Sequence, residues 1–412
     1  MLILRFKRFQ RKSSFSASFR VDSKMNTGKY VFAQICALLP FNEFIKGVDK
    51  YQGNHYVKHF TCWNQLMCML FGQFCNRQSL SDLVLCLQSQ QSKWYHLGMG
   101  KGVSKSNLAY ANEQRDWKIF AEFAYILIEQ ARKTCVSSKD FEVKVDGNVY
   151  AIDSTTINLC FNIFWWAPFR TNEAAIKLHT QFDVKTEIPA FIQLSEGATH
   201  DVNILDHIIF EKGAFYVMDK AYISFDRLNK INKAAAYFIT RAQVNQSLRR
   251  LYSAPVDKST GVLCDQIVKL RNFRPLKKYP DKFRRIKYFD QETNKKFEFI
   301  TNNFDLSALE IARLYKYRWS VELFFKWIKQ HLKIKAFWGY TENAVRIQVY
   351  TAIIAYTTVA LLKEQFKINY TTYEILQILS ITLVNKTQLN QLFDNSYQQN
   401  FKELDDNQLT IF

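Results

Sequence analysis

Three acidic residues in this chain are placed where chemistry is easier to explain than architecture. Asp153 closes the apolar run Tyr150, Ala151, Ile152, and Asp219 closes Tyr216, Val217, Met218. A carboxylate at the end of a buried strand is costly unless its charge is compensated. Taken singly, each fits a residue that caps the following turn. Two in one sheet ask for a shared counter-charge, which a divalent cation supplies. Oxygen donors with no Cys or His cluster beside them suit Mg²⁺ or Mn²⁺ rather than Zn²⁺. A third acid, Glu322, completes the set. Two ions held by such carboxylates activate a water or a hydroxyl and stabilise the leaving oxygen in an in-line displacement at phosphorus.

The elements that must position these acids follow from periodicity. From Leu306 the segment LSALEIARLYKYRWSVELFFKWIKQHLK reads as one long amphipathic helix, capped by Asp305 or Ser307 with Glu310 in the first turn. Along it Tyr315, Arg318, Glu322 and Lys329 fall within ~60° of one another at about 100° per residue, so they share a face. Arg318 and Glu322 also form a favourable i,i+4 pair, and a salt-bridged surface helix is the plainer reading. The chemical reading makes Glu322 an ion ligand, with Arg318 and Lys329 on phosphates.

Upstream, short β-branched or aromatic runs read as strands: Val149 to Asp153, then a hairpin of His179–Val184 with Phe191–Leu194 turned at KTEIP. A helix (Val202 to Phe210), a strand (Phe215 to Asp219), a helix (Phe225 to Lys233) and a strand (Tyr237 to Thr240) follow. Three strands, helix, strand, helix, strand is the order of an RNase H-like α/β fold. Between them, Thr199 or Asp201 is expected to cap the helix that follows, while Lys177 and His179 point toward a phosphate role.

The organisation expected is a basic leader (1–24) outside the fold, a helical DNA-binding region (25–140), and an RNase H-like catalytic domain in two pieces (141–240 and 301–340). A basic β-rich insertion (241–300) interrupts that domain, and a helical C-terminal region with a polar tail (341–412) ends the chain. Within the first helical region, Val103 to Trp117 reads equally as the second helix of a DNA-reading helix-turn-helix pair or as an ordinary N-capped helix. In the insertion, strand-like fragments (Gln266–Leu270, Arg285–Tyr288, Phe297–Thr301) alternate with Pro- and Lys-rich turns.

Charge points to the partner. Lys and Arg outnumber Asp and Glu by 56 to 37, a formal +19, and a surplus of that size suits a polyanion. From Arg241 to Tyr288 thirteen Lys or Arg face three Asp, so this segment supplies ten of the nineteen surplus charges. Lys277, Lys278, Arg284 and Arg285 are its candidate phosphate contacts. The eight cysteines are scattered without a C-x-x-C pair and read as reduced core residues, not a zinc site or a disulfide frame. The most apolar run, Tyr350 to Leu362, falls short of the ~20 residues a membrane span needs, so a cytoplasmic, nucleoid-associated protein is expected.

The residues also carry a resemblance. Tyr315, Arg318, Glu322 and Lys329, at intervals of two, three and six intervening residues, match the Y-R-E-K signature of the DDE transposases of bacterial insertion sequences, insertion sequence 4 family. YKYRWSVELFFKWIKQHL resembles that family's catalytic helix, and YAIDSTT and YVMDKAY resemble its two Asp segments. The resemblance covers roughly Met25 to Phe393. It implies Mg²⁺-dependent (or Mn²⁺-dependent) cleavage at terminal inverted repeats and strand transfer into target double-stranded DNA, with two ions. A homodimer that synapses two ends is also implied, while the lack of a spanning run gives the expectation of no membrane partner. In relatives an insertion Trp stacks on a flipped base. No Trp lies between Asp219 and Trp319 here, which leaves Phe273, Tyr279, Phe283 or Tyr288 as the stacking aromatic. Two other readings share much of this chemistry: an RNase H-like nuclease without strand transfer, and a non-catalytic DNA-binding descendant of a transposase. The presence of all three acids tells against the second.

Overall fold

A computed structural model describes residues 28–100, 102–135, 141–243, 246–331 and 337–394. The leader (1–24) and the polar tail beyond 394 lie outside the described residues.

Six helices come first: α1 (Val31–Cys36), α2 (Phe41–Lys50), α3 (Cys62–Phe74), α4 (Leu80–Gln88), α5 (Lys105–Gln114) and α6 (Lys118–Thr134). Side-chain caps start several of them, Thr61 in a reciprocal box with Asn64, and Ser79 and Ser104 on the amides three residues on. Ser104 therefore gives α5 the N-cap read in the sequence. Leu108, Ala111 and Asn112 form its buried face.

Ten strands then form one sheet: β1 (Val149–Leu159), β2 (Pro168–Arg170), β3 (Glu173–Asp183), β4 (Ile188–Glu196), β5 (Phe215–Met218), β6 (Tyr237–Arg241), β7 (Leu248–Ala254), β8 (Val262–Leu270), β9 (Phe283–Asp290) and β10 (Lys295–Thr301). Helix α7 (Phe225–Lys233) joins β5 to β6, and α8 (Phe273–Lys278) joins β8 to β9. The strand order is β2-β3-β1-β5-β6-β10-β9-β8-β7, with β4 also on β3. Among the described residues only β1·β5 and β5·β6 run parallel. The fold is thus a mixed α/β architecture. The basic segment after Arg241 continues the same sheet, because β10 pairs antiparallel with β6.

Alternation along the strands divides the core into two layers. Val149, Ala151, Val217 and Ile239 face one side, against the N-terminal helices and those of the C-terminal part. Tyr150, Ile152, Met218 and Phe238 face the other, against α7, whose Leu228 and Ile231 they meet. The later helices are α9 (Ala308–Lys316), α10 (Trp319–His331), α11 (Glu342–Gln365), α12 (Thr372–Thr382) and α13 (Leu389–Leu392). Helix α11 has 24 residues, longer than the apolar run suggested, and by length and composition it is long enough to cross a membrane. Of its most apolar window 89% is buried, and it packs on α6, α3 and α5 as the central rod of the helical layer.

Four local expectations need correcting. The strand carrying Asp153 does not end there but continues to Leu159, because β3 pairs with it along Tyr150 to Leu159. The helix expected over Val202 to Phe210 is a 3₁₀ turn, Asp201–Asp206, and Asp201 makes no side-chain cap. The single long helix from Leu306 is two, α9 and α10. Arg318 N–H bonds to Tyr315 C=O and Ser320 N–H to Tyr317 C=O, i to i−3 contacts that tighten the turn and reset the helical phase. Tyr315 and Glu322 therefore lie on different helices, not on one continuous face. Finally, strand β7 and helix α8 go beyond the strand-like fragments expected in the basic segment; β7 is largely exposed and carries no apolar alternation.

Candidate active site

Register explains how the acids meet. Ile152 pairs with Met218, and Met218 with Thr240, so Asp153, Asp219 and Arg241 each stand one step beyond matched positions on three adjacent strands. Each is also two residues past a side chain facing the helical layer (Ala151, Val217, Ile239). Period-two alternation turns all three toward the layer that contains α9 and α10. Asp219 follows the last residue of β5, as the sequence predicts, and precedes a 3₁₀ turn, Lys220–Tyr222.

Helix α10 packs along β1 and β3 and brings the third acid in. Arg318, at its entry, reaches Asp153 Oδ2 with Nη1 at 3.1 Å and Glu322 Oε1 with Nη2 at 2.5 Å. One guanidinium thus links two of the acids. The third, Asp219 Oδ1, accepts from Arg241 Nε at 2.9 Å and Nη2 at 2.7 Å. Two turns along α10 from Glu322, Lys329 donates to Thr155 Oγ1 and, at 2.9 Å, to Thr156 C=O on β1. Tyr315 packs on Phe299 with centroids 4.7 Å apart, and the Arg318 guanidinium lies over its ring at 5.9 Å. The Tyr315 hydroxyl is buried with no hydrogen-bond partner, and burial pushes its pKa up to about 12.

The electrostatics are set first by burial. Burial pushes the Asp153 carboxyl up to about 6. The Ser154 amide and Arg318 pull it down, while Glu322 and Asp219 push it further up. Burial also acts upward on Asp219, yet the Lys220 amide and Arg241 prevail and hold it below the usual carboxylate range. Among the described residues no group of three acids, histidines or cysteines stands at metal-ligand spacing. Arg318 lies among the acids instead, contributing the positive charge that their proximity demands.

A polar layer backs Asp153. Ser154 N–H donates to Asp153 Oδ1 at 2.8 Å, and Ser154 Oγ donates to Asp201 Oδ1 at 2.7 Å. Lys177 reaches Asp201 at 3.0 Å and Thr199 C=O at 2.8 Å, so it is occupied within the fold. His179 is buried, its Nε2 2.8 Å from Ser195 Oγ, and burial pushes its pKa down to about 4. It stands neutral inside the sheet, away from a phosphate role.

The basic candidates of the later segment are mostly committed to the fold. Arg284 is buried and doubly bonded to Asp265 at 2.5 and 2.8 Å, and it also donates to Leu306 C=O. Arg285 pairs with Glu298 at 2.6 Å, and Lys278 with Asp226 at 2.8 Å. Lys277 is exposed. Of the aromatic candidates, Tyr279 and Phe283 are fully buried and stack edge-on with each other, and Tyr288 is half-buried against the core. Phe273, 78% exposed, is left able to meet a base. Arg241 was the residue missed. It ends the run Phe238, Ile239, Thr240 in the way the two aspartates end theirs, and the same reasoning extended by one residue finds it.

Residues 145–358 match the family described as the transposase DDE domain, and residues 27–100 match a domain of unknown function (DUF4372). The chain is 34% identical over 285 residues to a Sinorhizobium fredii protein named as a transposase, y4zB, a match spanning 67% of this chain and 75% of that one. It is 31% identical over 222 residues to a Geobacillus stearothermophilus protein named as the transposase of insertion sequence element IS5377, over 52% of this chain and 57% of the other. A Synechocystis protein named for insertion sequence element IS4SA is 27% identical over 286 residues, 66% of this chain and 76% of its own. With the transposase domain matched over more than half its length and such relatives along it, this chain belongs to the DDE transposase family of insertion sequences.

Proposed function

We propose that this DNA transposase cuts the terminal inverted repeats of its element, and joins them to target DNA, at a centre formed by Asp153, Asp219 and Glu322. The observation that carries the reading is the convergence of these three carboxylates around Arg318 and Arg241. Crowded, part-buried acids with a raised Asp153 fit a site built for more positive charge than two guanidiniums bring. Asp153, Asp219 and Glu322 would hold divalent cations, Mg²⁺ or Mn²⁺ in a pair, once Arg318 moves from between them. Such ions supply Lewis-acid stabilisation of the charge that develops on the transferring phosphate.

The chain's own residues do the rest. Arg318 and Arg241, released from the acids, are placed to neutralise phosphate oxygens in a bidentate manner. Lys329 fixes α10 to β1 through Thr155 and Thr156 and so holds Glu322 in register with Asp153. Tyr315 packs its ring under the Arg318 guanidinium and so positions Arg318 beside the acids. The mixed sheet and the order of its elements favour an RNase H-like catalytic unit over 141–240 and 301–340, with 241–300 as its insertion. The flanking helical regions, 25–140 and 341–412, would carry end binding and the homodimer that pairs two ends. Such a protein works on the chromosome in the cytoplasm.

The test uses labelled duplexes of the inverted repeats that flank the gene, incubated with Mg²⁺ or with EDTA. Cleavage at the repeat tip that needs both Mg²⁺ and Glu322 is expected. Cleavage by the Glu322→Gln variant at the wild-type rate would remove the assignment.

A further inference from the structure

The ion pairs of the extended sheet leave a distinct set of cations over. Beside Asp219 lies a groove of about 670 Å³ lined by Lys220, Arg241, Phe289, Lys295, Lys296 and Glu298, among others. Three elements build it: the turn that follows Asp219, the end of β6, and the hairpin joining β9 to β10. Lys220, Lys295 and Lys296 are exposed, and none of the three takes part in an ion pair of the described residues. The acids nearby are already matched: Glu298 by Arg285 at 2.6 Å and Lys287 at 3.5 Å, and Asp290 and Glu292 of the hairpin by Lys316 at 3.6 and 3.0 Å. Their charges therefore offset only part of the lysines' field.

Arg241 belongs to both places. Its guanidinium holds Asp219, and the same residue lines the groove, so the groove and the carboxylate cluster share one wall. An enclosed pocket for a small anion gathers its donors around one point. Here the cations stand on separate elements, Lys220 after β5 and Lys295 and Lys296 at the start of β10, where strand alternation sends the two lysines to opposite faces of the sheet edge. Cations dispersed over several elements suit an extended polyanion better than one small anion, and Phe289 and Phe297 add apolar surface to the lining.

We propose that this groove binds the sugar-phosphate backbone of DNA beside the scissile phosphate, with Lys295 and Lys296 as its principal phosphate contacts and Lys220 nearest the cut. The proposal rests on the reading of Asp219 as part of the catalytic centre. It shifts the DNA-binding role of this segment from Lys278, Arg284 and Arg285, which the fold already uses, to lysines that it does not.

The experiment compares wild type with Lys295→Gln/Lys296→Gln, both at exposed positions. Binding to a labelled duplex carrying the repeat and its flank is followed by anisotropy over a range of salt in EDTA. Neutralising one lysine that sits on a phosphate lowers the slope of log K against log salt by about 0.9, so neutralising both lowers it by about 1.8. A Lys295→Glu/Lys296→Glu variant weakens binding further at every salt concentration. An unchanged slope, with either variant binding as wild type does, overturns the groove. Cleavage is measured in parallel with Mg²⁺. Wild-type protein that cuts in a Glu322-dependent way while the slope stays fixed removes the groove alone. A lowered slope in a protein that never cuts keeps the groove as a DNA surface but overturns its place beside a scissile phosphate together with the catalytic reading.

Discussion

The centre of the sheet and its antiparallel wing both carry many charges, yet they use them in opposite ways. In the wing, charges close on one another. Arg284 and Asp265 sit diagonally across β8 and β9, and Arg285 and Glu298 diagonally across β9 and β10. Such cross-strand pairs add to the sheet's own stability. At the centre, three acids share two guanidiniums, and burial leaves Asp153 with its pKa pushed up to about 6. Charge density alone marks both regions, and only the pairing separates a stabilised surface from a site that still has binding capacity. A functional site is expected to sacrifice local stability in this way.

The sharpest way to break the comparison is to remove one charge from each region. At the centre, Glu322→Gln is expected to lower repeat cleavage by about 10³-fold, the upper scale of losing one electrostatic group at a reacting centre. Its thermal midpoint without metal should hold or rise, because a crowded acid has gone. A midpoint that drops as far as cleavage does would make Glu322 a structural residue.

In the wing the signs reverse. Arg284→Met strands Asp265, only 14% exposed, without its partner, and the expected cost is about 3–5 kcal/mol in urea unfolding. The salt slope of DNA binding should not move, since Arg284 is inside the fold. The double variant Arg284→Met/Asp265→Leu should recover most of the loss, because no charge is then left unpaired. A changed slope with unchanged stability would return Arg284 to the DNA surface.

Much of the centre was legible from the sequence because its signal is local. Asp153 and Asp219 each break an apolar run, and Tyr315, Arg318, Glu322 and Lys329 keep a spacing that needs no structure to count. What escaped is non-local. The i to i−3 bonds donated by Arg318 and Ser320 separate α9 from α10, and they leave no trace in the apolar periodicity. The pairing of Arg284 with Asp265, nineteen positions apart, depends on the register of β8 against β9, which composition cannot give. Nor does composition tell a basic residue spent on an acid from one left for phosphate. The exposed strand β7 carries no alternation, so period two could not find it.

A buried neutral group at the centre offers a milder test. His179 is opposite Ser154 in the β1·β3 register, and burial pushes its pKa down to about 4 from an ordinary 6.5. Below pH 6.5 the unfolded chain takes up this proton first, so stability falls as pH drops from about 6.5 toward 4. Between pH 7.5 and pH 5 the loss attributable to His179 is about 2 kcal/mol, from ~1.4 kcal/mol per pH unit. His179→Gln, less stable at pH 7.5, should therefore draw closer to wild type by that amount at pH 5. Unfolding curves that stay parallel across this range would mean that His179 is charged, or solvated, in the native state.

The smallest effect belongs to the wing's rim, and it limits how far the comparison extends. Lys278 and Asp226 meet at 2.8 Å, but their side chains are 55% and 53% exposed. Water screens both charges, and holding two long side chains together costs entropy, so Lys278→Met should change stability by less than about 1 kcal/mol. If the wing acts through closed pairs, the same variant should also leave the salt slope where it was, since Lys278 answers Asp226. A slope lowered by the worth of one phosphate, about 0.9, would show that an exposed pair exchanges its acid for a phosphate when DNA arrives. The boundary between the two kinds of charge would then follow solvent exposure instead of pairing, and Arg285, 26% exposed against Glu298, would be the next residue to move across it.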